Sequence, residues 1–298
     1  MKKILLSIYF NACRFFSTIS YFFYLQQKTF DVLSQDDTVD AVLKNPNLCI
    51  ARFGDGEYQM ILGGETGFQQ QDKKLAKRLQ EVLISDSCNC MVCLPRPFAN
   101  LNLLGPKSYI FWRKYIGDHR SMILKLTPGH KTYGDACFTR FYLENKEYDV
   151  DAYIAKLKKL WDNKVIYIVE GENTKFGVGN SLLNNAKDVK RLLCPPTNAF
   201  SRYDMIYQSI QKYVPEGSLI LIALGMTATV LAYDLSKLNR SYQALDVGHL
   251  DIEYEWYLRK SKSVVKIPGK AVNEAGCNKP IENIVNDEYI QSIVKQII

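Results

Sequence analysis

What this sequence does not contain removes several classes of protein at once. It has no Gly-x-x-x-x-Gly-Lys-Ser/Thr and no Gly-x-Gly-x-x-Gly, so neither a P-loop nor the usual dinucleotide fingerprint is present. It has no internal repeat and no low-complexity segment, which excludes a solenoid or a disordered linker protein. Its basic residues do not combine with aromatics into a nucleic-acid module, so no nucleic-acid partner is expected. Eight cysteines are scattered along the chain. Cys88-x-Cys90-x-x-Cys93 lacks a second half of zinc-ligand spacing, and Cys90 to Leu94 reads as a buried strand. Thiols in apolar runs behave as small hydrophobes, so a reducing, cytoplasmic compartment is expected in place of a disulfide scaffold.

A clean leader or membrane span is lacking too. Lys2-Lys3 followed by Ile4-Leu5-Leu6 opens like a signal peptide, but Asn11 and Arg14 interrupt the run and no small-residue cleavage pattern follows. An arginine near the centre of a span costs about 2.5–3.5 kcal/mol on the insertion scale. Residues 1–28 read instead as an amphipathic helix, with Leu5, Ile8, Ala12, Phe15, Phe16, Ile19, Phe22 and Phe23 on one side. Such a helix rests in a membrane interface, on its own domain or on a partner. The expectation is a peripheral protein at the inner face of the plasma membrane.

What remains is ordinary globular material. The 298 residues are 47% hydrophobic and 23% charged, enough for one large domain or two small ones. Net charge is +7, with short basic runs at 73–78, 156–159 and 259–270. Solvated helix faces account for such runs, and an anionic partner such as a nucleotide diphosphate or a membrane surface is the alternative. Short apolar runs at 48–53, 90–94, 164–169, 190–194, 219–223 and 242–246 read as strands, each followed by a turn. Helical patterns at 30–44, 57–62, 72–83, 109–116, 151–161, 181–186, 198–213, 228–235 and 252–260 lie between them. Repeated strand–loop–helix units predict an α/β, doubly wound, mainly parallel sheet behind the N-terminal helix. Residues 29–262 form the domain in this reading, and 263–298 form a C-terminal extension with a final helix from Asp287.

The stretch Leu48 to Glu57 carries the chemistry. An apolar strand breaks into Gly54-Asp55-Gly56-Glu57, at the carboxyl end where open sheets bind ligands. Glycines let backbone approach a ligand, and Asp55 and Glu57, one residue apart, can project to the same side. Two hard oxygen donors suit Mg²⁺ or Mn²⁺ shared with a ligand phosphate, and Arg52 could hold a phosphate oxygen. The plainer reading is a helix start, with Asp55 as N-cap and Glu57 complementing the dipole. Two further strand-end loops, Gly171 to Asn180 and Gly225 to Thr227, emerge on the same edge of a parallel sheet. The first of these opens into the helical pattern at 181–186, a ready anion site.

The chain resembles the GT-D-type glycosyltransferases, bacterial enzymes once grouped as a domain of unknown function. The resemblance covers roughly Val39 to Lys260. It is carried by Arg52 to Glu57, by Gly171-Glu172 with Phe176-Gly177-Val178-Gly179-Asn180, and by Cys194-Pro195 with Asn198-Ala199-Phe200. Leu224 to Leu235 and Ala244 to Trp256 complete it. Lys175 stands where the family pattern has Arg, and Met226 where it has Pro. The resemblance implies a Rossmann-like domain that uses a nucleotide sugar, typically UDP-glucose or a relative such as UDP-galactose, with a divalent metal. Asp55 and Glu57 would be the metal and diphosphate site. Arg52, Gly54, Arg140, Glu172, Lys175, Gly225 and Thr227 are candidate donor contacts. Asp246, His249 and Glu253, at the last strand end and the following helix, are candidates for a base that activates an acceptor hydroxyl. His249 and Glu253 are four apart and could share a hydrogen bond. The acceptor would be a glycan, glycolipid or glycoprotein of bacterial surface assembly. A metal-dependent nucleotide phosphotransferase or hydrolase, and a non-catalytic sugar- or membrane-binding partner, are the alternatives.

Overall fold

The structure, a computed structural model, describes residues 15–26, 30–102, 104–144, 149–277 and 287–297. The first half of the expected N-terminal helix, through Arg14, lies outside them.

The apolar runs fold as strands because each side chain in them finds cover. Strands β1 (Asp31–Val32), β2 (Cys49–Arg52), β3 (Cys90–Leu94), β4 (Thr132–Asp135), β5 (Val165–Gly171), β6 (Asp188–Cys194), β7 (Leu219–Ala223), β8 (Gln243–Asp246) and β9 (Ile293–Gln296) form one sheet. Its order is β1-β4-β3-β2-β8-β7-β5-β6-β9, and every pairing between these strands is parallel. β7 and β8, in the middle, are buried at every position, as a parallel strand covered on both faces must be.

Helices cover both faces. The helix at 15–26 (α1), α3 (Asp55–Ile61), α4 (Lys73–Ile84), α5 (Pro106–Leu126), α7 (Tyr203–Tyr213) and α8 (Met226–Ser236) share one core. α2 (Gln35–Lys44), α6 (Val150–Lys158) and α9 (Leu250–Leu258) build the other. The stripe Leu75, Leu79, Val82 and Leu83 of α4 is buried as its helical spacing requires, behind Asp72, whose carboxylate caps the N-terminus. Outside the sheet, α10 (Asp287–Ser292) precedes β9.

This winding sets the site. The chain steps outward through β2, β3 and β4, crosses to β5 and β6, and returns through β7 and β8 to lie beside β2. From β2 it leaves into α3 on one face, and from β8 into α9 on the other. Adjacent strands whose exits diverge leave a crevice between them, the switch point where open α/β sheets hold ligands.

Four local expectations are corrected. Residues 181–186 are successive turns, not a helix, and they pack Leu182 and Leu183 into the second core. The expected helix-N-terminus anion site there does not form. β4 lies where no strand is predicted, because a four-residue strand ending in Gly134-Asp135 carries little apolar signal. Residues 263–277 and 287–297 are not an appendage. Lys270, itself buried, pairs with Asp251 (2.6 Å) and Glu255 (3.0 Å) of α9, and β9 extends the sheet beside β6. The expected helix at 109–116 runs over the whole of α5.

Candidate active site

A crevice of about 570 Å³ opens at the carboxyl ends of β2, β7 and β8, within the size range of small-molecule sites. One wall is the β2–α3 turn with Asp55 and Glu57, joined by Gly225 and Met226 at the start of α8. Gly225 has φ +53°, and a Cβ there would sit 2.6 Å from the Phe68 ring, so only glycine fits. Phe68 belongs to a loop at 66–70 that is tied across the crevice: Asn198 N donates to Phe68 O (2.8 Å), and Gln70 N donates to Asn198 Oδ1 (2.7 Å).

The acidic turn is a helix start and a polar wall together. Gly54, not Asp55, is the N-cap, and its N–H donates to Glu57 Oε2 (2.7 Å), the returning half of a capping box. Asp55 occupies the first helical position and is exposed. Burial pushes the Glu57 carboxyl up to about 7, with the charge of Asp246 adding and the Gly54 N–H and Arg52 opposing.

Arg52 is committed to the wall. Its Nε donates to Asp246 O (2.9 Å), Nη2 to Asp246 Oδ1 (2.8 Å), and Nη1 to Thr139 Oγ1 (2.9 Å) and Ala136 O (3.2 Å). It joins β2 to β8 and to the turn after β4, and does not stand clear as a phosphate arm. Asp246, buried, spends its carboxylate on Arg52 and on Thr229 Oγ1 (3.3 Å). Burial raises its pKa and Arg52 opposes that, so Asp246 is the counter-ion of Arg52, not a base waiting for a hydroxyl. A Cβ on Gly248 would lie 1.8 Å from Arg52 Nη2, which explains a glycine with φ +42° at this point.

The opposite wall is a relay of charges. Arg140 reaches Glu144 (3.3 Å) and Glu274 (2.9 Å), and Glu274 also pairs with His249 Nε2 (2.9 Å). Burial opposes ionisation of Glu274, but His249 and Arg140 overcome it and hold the carboxyl below the usual range. Glu144 keeps Oε2 buried without a hydrogen-bond partner. Its pKa is raised by burial, against Arg140, with Glu274 and Asp55 adding. His249 therefore pairs with Glu274, not with Glu253 as helical spacing suggests.

Several expected residues lie elsewhere. Glu253 is fully buried behind the relay, where its Oε2 accepts from Tyr142 N and Leu143 N (3.2 Å each). It pins a loop and does not line the crevice. Lys175 is buried, its pKa lowered by burial against Glu170 and Glu172. Neither it nor the exposed Glu172 lines the crevice, whereas Gly171, Asn173 and Thr174 do. Thr227 is buried with an unpartnered Oγ1 in the first turn of α8. Sequence reading missed Glu144, Glu274 and Phe68. The resemblance did flag Asn198, which holds Phe68, though without a role.

Among the described residues no group of three His, Cys, Asp or Glu gathers into a metal cage. Asp55 and Glu57 nonetheless fit a hard divalent cation of the Mg²⁺ or Mn²⁺ kind. Such ions are held by one or two carboxylates, with water and substrate phosphates completing the shell. The donor set suits an ion that arrives with a phosphorylated ligand, not a resident structural one.

A wholly parallel sheet with an acidic turn at its switch point defines an α/β protein whose crevice lies where open sheets of this kind hold ligands. The chain belongs to the glycosyltransferase GT-D fold family, whose sequence model matches residues 50–275. It is 34% identical over 274 residues to a probable glycosyl transferase, Gly, of Streptococcus gordonii, covering 91% of this chain and 39% of that protein. It is 35% identical over 265 residues to glycosyltransferase GlyD of Streptococcus pneumoniae, covering 88% of this chain and 32% of that protein. The chain thus spans only 39% and 32% of the length of these two curated relatives. Among solved structures, a glycosyltransferase (DUF1792) from Streptococcus sanguinis superposes with TM-score 0.85 at 33% identity, over 90% of this chain and all of that one. A second, described as domain of unknown function 1792 with a distinct glycosyltransferase fold, gives 0.86 at 34% identity, over 95% of this chain and 99% of that one.

Proposed function

We propose that this protein transfers a hexose from a nucleotide sugar, UDP-glucose or UDP-galactose, to a glycan, glycolipid or glycoprotein acceptor of bacterial surface assembly. The observation that carries the reading is the acidic pair Asp55 and Glu57 on the wall of a crevice at the sheet's switch point. The other elements of that wall suit a nucleoside diphosphate. The N-terminus of α8, opened by Gly225, presents backbone N–H groups to an anion. Phe68, which lines the same crevice, supplies an aromatic ring for a base. Asp55 and Glu57 would hold the divalent cation, whose contribution is to neutralise charge on the departing diphosphate.

Chemistry on the acceptor belongs to the opposite wall. Of the three residues considered as a base, His249 is the one that lines the crevice with its ring held by a carboxylate. Glu274 fixes that ring and stabilises the imidazolium formed when a proton is taken from an acceptor hydroxyl. Arg140 keeps Glu274 ionised for that task.

The test is release of free UDP from a panel of UDP-sugars with Mn²⁺, with and without a sugar acceptor. Release that depends on acceptor supports transfer. Release indifferent to acceptor indicates a hydrolase, and no binding of any UDP-sugar ends the reading.

A further inference from the structure

Helix α1 packs with its polar side inward. Ser17, Tyr21 and Tyr24, spaced i, i+4, i+7, face the domain. Ser17 Oγ donates to Asp118 Oδ1 of α5 (2.5 Å), and Tyr24 OH donates to Phe98 O (2.6 Å). The two helices approach closely at Gly117, where a Cβ would lie 2.1 Å from the Ser17 carbonyl oxygen. The outward side holds Phe15, Phe16, Ile19, Phe22, Phe23 and Leu25, with Phe16 68% and Phe22 61% exposed. Over 15–26 the helix carries no charge. A contiguous apolar face of this kind on a soluble surface marks an interaction site.

The neighbouring helix says what the face meets. Among its 21 residues α5 has Lys107, Arg113, Lys114, Arg120 and Lys125 against a single acid, Asp118. Arg120 lies over the Phe23 ring (5.6 Å) and Arg113 over the Tyr109 ring (5.8 Å), so cations rim the aromatic face. Tyr109, Ile110 and Phe111 of α5 are exposed beside it. A second copy seated here would bring two basic helices together, which like-charge repulsion opposes. Aromatic side chains bordered by Arg and Lys match the headgroup–acyl boundary of an anionic bilayer.

We propose that the α1–α5 face seats the protein on an anionic membrane surface, with the phenylalanines of α1 entering the headgroup–acyl boundary. The inference rests on neither the donor nor the cation. Because Phe111 and Trp112 of α5 also line the crevice, docking would hold the crevice mouth beside the bilayer.

Flotation of the full chain with vesicles of phosphatidylcholine alone, or mixed with phosphatidylglycerol, tests this. The mixed vesicles should retain the protein at low salt, and retention should weaken at high salt. Phe16→Ser/Phe22→Ser/Phe23→Ser should reduce retention roughly tenfold or more, since exposed side chains are removed without opening the core. Arg113→Gln/Arg120→Gln should lower retention and flatten the salt dependence. A Phe16→Trp variant gives a second readout, a blue shift of its emission on mixed vesicles. Absence of retention on mixed vesicles at low salt overturns the proposal, as does equal retention of the triple variant or an unshifted Phe16→Trp emission. A concentration-dependent dimer broken by the triple variant, with no vesicle binding, assigns the face to a second copy and also overturns it.

Discussion

The two walls of the crevice are built by different rules. The part of the first wall made by β2 and α3 is local: strand, glycine turn and helix start follow one another within ten residues, held by near neighbours such as the Gly54 N–H on Glu57. The wall at β8 and α9 is assembled from afar. Arg140, His249 and Glu274 come from three separate segments and hold one another by ion pairs alone. Between them runs Arg52, which belongs to the first wall by sequence and to the second by bonding. A local wall can be altered one residue at a time, whereas a relay fails as a unit.

Four substitutions test that contrast. Asp55→Ala should lower acceptor-dependent UDP release roughly a hundredfold to a thousandfold, because it removes a carboxylate that would hold the cation neutralising the diphosphate charge. Its unfolding free energy should stay within about 0.5 kcal/mol of wild type, since the side chain is exposed. Gly248→Ala should cost roughly 2–4 kcal/mol in chemical denaturation. Its Cβ displaces Arg52 from Asp246 and breaks the joint between the walls. A variant as stable as wild type would mean that the clamp is not structural.

Glu253 gives a pH signature to the distant wall. Burial raises its pKa from the ordinary 4.5 to about 7, against Arg140. Between those values the folded chain keeps a proton that the unfolded chain releases, so stability falls as pH rises through the window, by up to about 3 kcal/mol. Glu253→Gln retains a carbonyl for the Tyr142 and Leu143 N–H groups and should flatten this part of the slope, read as the unfolding midpoint from pH 4.5 to 7. Smallest of the four, Glu274→Gln should lower kcat about tenfold and shift the pH profile of kcat, with KM for the donor little changed. A change in donor KM instead would place Glu274 on the wrong wall.

Legibility in the sequence follows the same division. Six strands, the parallel winding and the Asp55–Glu57 turn could be read because each is written in a short stretch of apolar run and glycine. Resemblance to a known family then supplied the fold and reaction class. Asp246, Lys175 and Glu253 were read as site groups because of where they stand along the chain, and no local pattern reveals that Arg52 consumes one or that burial takes the others. Glu274 and Lys270 were invisible for the converse reason: a strap of weak apolar pattern is fixed by two ion-pair clusters reached only after folding. The N-terminal helix was read as amphipathic, but its orientation was not, since sequence cannot say which face the hydroxyls of Ser17 and Tyr24 will prefer.

The most direct test of the account is a calorimetric titration of UDP into the wild-type chain and Asp55→Ala, each with and without Mn²⁺. Binding that requires Mn²⁺ in the wild type and is lost in the variant is the predicted outcome. Equal affinity with and without the cation, or an unaltered isotherm for the variant, would contradict it.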